Sequence, residues 1–292
     1  MEDSVTVFRN FYKVKRSDSF RIVPIGCTHC GNIAAEEHEP ELKRLIKEVV
    51  DDPYAYTILM GDACEFINAR DKRFDAASLA SWINVGDLVD LAKVQIEYYL
   101  ELMRPLAKAN KILAIASGNH EESIKRYSER DVYSQIVSTL KGWQGMKARE
   151  QLGVGMGGWL ALRFSGGARG EKGPRGSRII KINLHHGFVG GRLSGAKALN
   201  MQRWLWNHDC DVAMMGHSHD IKVLPEAVEK LNVRTGKVWI QNKLGLITGN
   251  WLGRAAYASD MGYFPLPVGY TELMLYPRTQ GMRKMSASAV IL

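Results

Sequence analysis

Only four cysteines occur in 292 residues: Cys27, Cys30, Cys64 and Cys210. That is too few for a disulfide scaffold at this length, and a reducing compartment keeps such residues as thiols. Cys27-x-x-Cys30 has the spacing of a redox pair or of half a zinc site, but a zinc ribbon needs a second pair and the sequence has none. No run approaches the ~20 apolar residues of a membrane span. The opening stretch, MEDSVTVFRNFYKVKR, lacks the apolar segment of a secretory signal. These absences make a cytoplasmic location the expectation. With no internal repeat and no long linker, one domain over residues 1–292 is expected.

What is present describes a globular chain. Hydrophobic residues make up 46% and charged residues 24%, enough apolar material for a full core and far from a disordered composition. Lysine and arginine outnumber aspartate and glutamate by 39 to 31, which leans toward a polyanionic partner such as nucleic acid or a nucleotide. Part of the excess is local: Arg163, Arg169, Lys172, Arg175, Arg178 and Lys181 face a single acid, Glu171, around a glycine-rich stretch at 166–176. That stretch reads either as a solvated hairpin tip or as a basic flap that touches phosphate. Trp204, Trp206, Trp239 and Trp251 are expected in the core.

Periodicity gives an alternation of strands and helices, the mark of layered α/β architecture. Strands are expected at 20–25, 56–60, 112–116, 159–164, 178–184 and 212–215, with further candidates at 238–240 and 271–276. Helices are expected at 41–50, where Leu42, Leu45, Ile46 and Val49 share a face, and at 87–107, 133–140 and 196–206. Five of the strands run into clusters of Asp, Asn, His or Cys. In α/β folds ligands bind beyond the carboxyl ends of strands, so these clusters are expected to converge on one rim.

The clusters carry metal chemistry. His217-x-His219 and Cys27-x-His29 each place two donors at i and i+2, which a strand would point to one side. Asp62 adds a carboxylate, Asn119 an amide oxygen, and His185 or His186 another imidazole. Imidazole, carboxylate and amide oxygen together suit Zn, Fe or Mn better than calcium. Seven or so donors exceed one tetrahedral site and match two ions that share a bridging carboxylate, an arrangement suited to in-line displacement at phosphorus. His120, beside Asn119, can donate a proton to a leaving group if a carboxylate orients it.

The ordered motifs Cys27-x-His29, Gly61-Asp62-x-x-Glu65, Gly118-Asn119-His120-Glu121, His186-Gly187 and Gly216-His217-Ser218-His219 resemble those of the calcineurin-like metallophosphoesterase superfamily, over about residues 20–220. The tail around 262–269 is similar to microbial and phage-encoded members. The resemblance implies a four-layer α/β/β/α sandwich with two mixed β-sheets, residues 221–292 supplying strands that complete it. It implies a hydrolase that cuts a phosphate ester with water held between two divalent ions. His29, Asp62 and His219, with Cys27 contributing, would hold the first ion. Asp62, Asn119, His217 and His186 (His185 as the fallback) would hold the second. His120 would be the acid, Glu65 its orienting partner, and Glu121 a structural salt-bridge residue.

One departure stands out: Cys27 occupies a position where the family normally has Asp. A thiolate ligand there favours softer ions; a weakened first site or a scaffold that has lost catalysis are the alternatives. The positive balance favours a nucleic acid or nucleotide phosphodiester as substrate, with Lys125 and Arg126 near it and Arg70, Lys72 and Arg73 as further phosphate contacts. A small phosphomonoester or pyrophosphate is the other substrate class.

Overall fold

Strands with apolar residues on both faces need cover on both faces, and this requirement organises the chain. The computed structural model describes residues 5–68, 71, 73–167, 177–187, 193–253, 264–278 and 284–292. Its strands are β1 (Thr6–Phe11), β2 (Phe20–Ile25), β3 (Ala55–Leu59), β4 (Ile112–Ile115), β5 (Gly157–Phe164), β6 (Arg178–His185), β7 (Val212–Met215), β8 (Ile221–Asn232), β9 (Lys237–Asn250), β10 (Gly269–Leu275) and β11 (Met285–Ile291). Its helices are α1 (Ile33–Glu36), α2 (Glu39–Asp51), α3 (Leu91–Lys108), α4 (Asn119–Ser128), α5 (Val132–Trp143) and α6 (Ser194–Asn207).

The strands form one mixed hydrogen-bonded path in the order β1-β5-β6-β7-β9-β10-β2-β3-β4, with β8 on β9 and β11 on β10. β2, β3 and β4 run parallel, as do β6, β7 and β9. Among the described residues the strands of the two halves pair where Asn250 and Gly249 of β9 meet Gly269 and Tyr270 of β10. The last strands complete the sheet around β2, since β10 pairs with both β2 and β11.

Alternate residues of one strand serve different cores. Val23, Ile25 and Leu59 pack with Leu45 of α2, Ile96 and Met103 of α3 and Leu140 of α5. Their neighbours Ile22, Ile58 and Met60 pack instead against Leu160, Leu162, Ile182, Leu184, Met214 and Leu246 of the other half. Ala213, Met215 and Ile247 turn outward to Met201 and Leu205 of α6. Each fully buried Leu or Ile contributes roughly 1.5–3 kcal/mol by leaving water, so the core that both halves share holds them against one another.

Helix α2 buries Leu42, Leu45, Ile46 and Val49, the face that spacing predicts. The helix expected from 87 begins later, at Leu91, because the Asp90 side chain accepts the Lys93 N–H at 3.1 Å and caps it there. Periodicity does not mark strands β1, β8 and β11 or helices α1 and α4. Trp251 is buried as expected, but Trp206 on α6 and Trp239 on the β8–β9 hairpin are about half exposed. That hairpin outruns the sheet: its paired residues extend to Asn232 and Lys237, where no other strand covers them among the described residues. No helix of the described residues is long and apolar enough to cross a membrane.

Candidate metal centre

Loops leaving β2, β3, β4, β6 and β7 bring the clusters together by an unusual backbone. Cys27 (φ 50°), His29 (φ 43°), Asp62 (φ 49°), His217 (φ 62°) and His219 (φ 51°) all lie in the left-handed region. Non-glycine residues there cost on the order of 1–2 kcal/mol each and persist where surrounding structure over-determines them. The expected strand-like i, i+2 geometry is thus replaced by two loops with left-handed residues at both ligand positions. Clamps hold them: Cys27 and His29 donate their N–H groups to Gly61 and Asp62 carbonyls at 2.9 and 3.1 Å, and Trp251 N–H donates to the Cys27 carbonyl at 3.1 Å. On the other loop Asn250 Nδ2 donates to the His219 carbonyl at 3.0 Å and the buried Lys197 ammonium to the Ser218 carbonyl at 2.9 Å.

The β3 and β4 loops cross at backbone contact, and glycine permits it. A Cβ on Gly61 (φ 86°) would lie 2.6 Å from Gly118 N, and one on Gly118 would lie 2.2 Å from Asp62 N. Glu121 locks the crossing. Buried in the first turn of α4, its carboxylate accepts the N–H groups of Gly118 (2.9 Å), Asp62 (3.1 Å) and Ala63 (2.8 Å). The salt bridge expected for this residue is therefore replaced by three backbone bonds. A glutamate three residues after the helix cap is a sequence signal for this, and it also marks the start of α4.

Three groups of donors result, one of them joining His29, Glu65 and His120 and the other two sharing Asp62. The ligand atoms of Cys27, His29, Asp62 and His219 lie within 4.8 Å of one another, and so do those of Asp62, His186 and His217. His29 Nδ1–H donates to Glu65 Oε2 at 2.9 Å, which leaves its Nε2 facing His219 Nε2 at 3.1 Å and Asp62 Oδ2 at 3.9 Å. His186 Nδ1–H donates to the Met60 carbonyl at 2.7 Å, and its Nε2 faces Asp62 Oδ2 and Asn119 Oδ1, both at 3.0 Å. His217 Nδ1 lies 2.7 Å from Asn119 Oδ1, and its backbone N–H donates to Cys27 Sγ at 3.3 Å. An outer N–H fixed on a carboxylate or carbonyl, with the inner nitrogen aimed at other acceptors, is how ligating histidines are oriented. Acceptors that face one another at 2.7–3.1 Å need a proton or a cation between them, so the donor set fits a metal.

The electrostatics agree. Burial lowers His219 well below its ordinary pKa, with His29's charge adding to the effect, and burial followed by His186's charge lowers His217. Both stay neutral and able to ligate. Burial also pulls on His29 and His186, but the bond to Glu65 and the charges of Glu65 and Asp62 raise His29, and Asp62 raises His186 to about 9. Asp62, despite burial, is held well below its ordinary range by His186, His120 and His29. Burial and then Asp62's charge push the Cys27 thiol well up, so its sulfur ligates only a cation strong enough to displace its proton.

The remaining predicted residues fall as follows. His185 lies outside all three donor groups: its Nδ1 accepts the Gly187 N–H at 2.8 Å, its ring packs 4.8 Å from Trp204, and burial lowers its pKa to about 4. The carboxylate of Glu65, expected on His120, sits on His29; His120 Nδ1–H instead donates to the Glu65 backbone carbonyl. The reason is that the Glu65 side chain points back toward the β2 loop, which sequence spacing does not report. Cys30 and Cys64 are buried in the α-side core. Lys125 pairs with Asp131 at 2.9 Å, Arg126 is exposed, and Arg73 grips Asp71. Arg70, Lys72, the basic stretch 168–176 and residues 262–263 lie outside the described residues.

Residues 20–220 match the sequence model of the calcineurin-like phosphoesterases. The chain belongs to that family. It is accordingly a metal-dependent hydrolase of phosphate-ester bonds. No curated protein matches this phosphoesterase in sequence. Among 34 matching solved chains is a predicted phosphoesterase of Streptococcus pneumoniae TIGR4 (9% identity, TM-score 0.33, covering 94% of this chain and 99% of that one). Another is Vps29 of Chaetomium thermophilum (14%, 0.34, covering 93% and 95%). A third is the NAD nucleotidase of Haemophilus influenzae (13%, 0.37, covering 94%), of which this phosphoesterase spans 50%.

Proposed function

We propose that this phosphoesterase is a dinuclear enzyme that hydrolyses a phosphodiester in nucleic acid or a nucleotide. The observation that carries the dinuclear reading is Asp62, the carboxylate shared by two of the three donor groups, which can therefore bridge. Cys27, His29, Asp62 and His219 would hold one ion, and Asp62, Asn119, His186 and His217 the other. The sulfur favours zinc or iron over magnesium in the first position, with manganese a candidate for the second. When bound, such ions neutralise phosphate charge and acidify water. We also propose a single domain over residues 1–292, stacked as α/β/β/α; three separate cores and the pairing of β10 with β2 support it.

The protein's own groups then have defined tasks. His120 keeps Nδ1–H on the Glu65 carbonyl, so as an imidazolium it offers Nε2–H to the leaving oxygen. Asp62 Oδ1 accepts the His120 backbone N–H at 3.0 Å, which ties the proton donor to the proposed bridging carboxylate. Glu65 orients His29 by the contact described above. The net charge of +8 supports a polyanionic substrate.

The test compares bis(p-nitrophenyl) phosphate with p-nitrophenyl phosphate under added Zn, Fe or Mn, alongside metal analysis. Diester turnover that requires two ions per chain, and that falls about 100-fold or more in His120→Ala, supports the proposal. Preference for the monoester would move the assignment to a phosphomonoesterase. A protein that binds both ions and turns over neither ester, nor a short single-stranded DNA, is a binding scaffold.

A further inference from the structure

The two ends of the strand path, β1 and β4, face one another at the edge of the middle core, far from the metal centre. Between them lies a cavity of about 370 Å³, within the usual range of small-molecule sites. Its walls include Arg9, Phe11, Tyr56, Asn110, Lys111 and Leu113, and among the described residues no acidic side chain lines it. Tyr56 lies near the start of β3 and Asp62 just beyond its end, so the cavity is roughly 15–20 Å from the metal donors.

Two cations here have unusual partners. Arg9 occupies an inward position of β1 between Val7 and Phe11. Among the described residues its guanidinium donates to neutral carbonyls, those of Phe8 at 3.1 Å and Gln151 at 3.0 Å. Lys111 is buried, with Nζ on the Asp52 carbonyl at 2.6 Å and 5.0 Å from the Tyr56 ring centroid. Neither forms an ion pair among the described residues. Each keeps N–H donors to spare, since a guanidinium carries five and an ammonium three. Withdrawing a cation from water without a counter-charge is costly. Burial accordingly lowers the pKa of both, against the pull of Glu150 on Arg9 and Asp52 on Lys111.

We propose that this cavity is a binding site for a small organic anion with a flat apolar body, its charge held by Arg9 and Lys111 and its ring by Phe11 and Tyr56. This site is separate from the metal centre and does not depend on its assignment. A charge turned inward on an edge strand also discourages edge-to-edge pairing. That would account for Arg9 alone, without Lys111 or the aromatic walls.

The test titrates methyl-labelled protein with naphthalene-2-sulfonate and, separately, with the neutral naphthalene-2-sulfonamide, following the Ile112 and Leu113 methyl resonances. The sulfonate is expected to shift them saturably, and the sulfonamide to bind at least about tenfold more weakly, as loss of charge-assisted bonds predicts. Arg9→Met and Lys111→Met should each weaken the sulfonate about tenfold while circular dichroism stays that of wild type. Equal binding of the two probes, no saturable shift at millimolar sulfonate, or shifts confined to Met60 and Met215 near the metal donors would each overturn the proposal. The probe comparison decides the matter even if a variant fails to fold.

Discussion

Replacing Cys27 by Asp tests the metal centre at its most unusual residue. Cys27 Sγ lies within 4.8 Å of an Asp62 carboxylate oxygen, and both residues are buried. Two like charges at that separation repel by about 3–4 kcal/mol at an effective dielectric of ~20. Protonating the new carboxylate at pH 7 would cost about 4 kcal/mol, so relief by that route caps the loss near the same figure. In the presence of a chelator, Cys27→Asp should therefore be destabilised by about 3–4 kcal/mol, which lowers Tm by roughly 6–16 °C. Cys27→Ser, which adds no charge, should move it much less. A divalent cation reverses the sign, because each carboxylate then faces a double positive charge instead of its neighbour. The rise in Tm on adding zinc or manganese should accordingly be larger in Cys27→Asp than in wild type. Thermal unfolding by circular dichroism with and without metal reads both quantities. A chelated Cys27→Asp protein that melts within roughly 2 °C of wild type, or an equal metal-induced rise, would refute the placement of residue 27 in a shared cation site.

Three further outcomes follow from the geometry. Lys197→Met removes the charged donor on the Ser218 carbonyl, so metal affinity measured by chelator competition should fall about tenfold or more; an unchanged affinity would show that the 217–219 loop holds itself. Gly118→Ala would drive a Cβ to within 2.2 Å of Asp62 N and 2.6 Å of Glu121 Oε2, so bound metal should be lost and Tm lowered; retention of stoichiometric metal would contradict the tight crossing. Tyr133, whose hydroxyl donates to the Ile115 carbonyl and accepts the Gly155 N–H, is pushed up to about 12 by burial. A raised phenol pKa stabilises the fold fully below pH 10, and that contribution, about 2–3 kcal/mol, is lost as pH rises from 10 to 12. The decline should shrink in Tyr133→Phe, and equal alkaline slopes in urea titrations of the two proteins would argue against it.

Short-range pattern carried much of the molecule. The apolar spacing of Leu42, Leu45, Ile46 and Val49 marks α2, and the apolar runs of β2, β3, β4 and β7, unbroken in the last two, mark strands with two covered faces. Chemical type is also legible: Cys27, His29, Asp62, Asn119, His186, His217 and His219 are all of types that can hold a metal, each just beyond a strand. These properties depend on side-chain identity and on neighbours a few residues away, and the sequence states both directly. The tertiary structure alone decided how the donors meet. His29 and His219 face one another across 190 residues, the Glu65 carboxylate goes to His29 instead of His120, and Glu121 fastens three N–H groups from two loops. The left-handed backbone at five of the seven donors opposes local preference, so no reading of propensity would choose it. It persists because bonds between distant loops outweigh its cost, and such bonds exist only once strands far apart in sequence have come together.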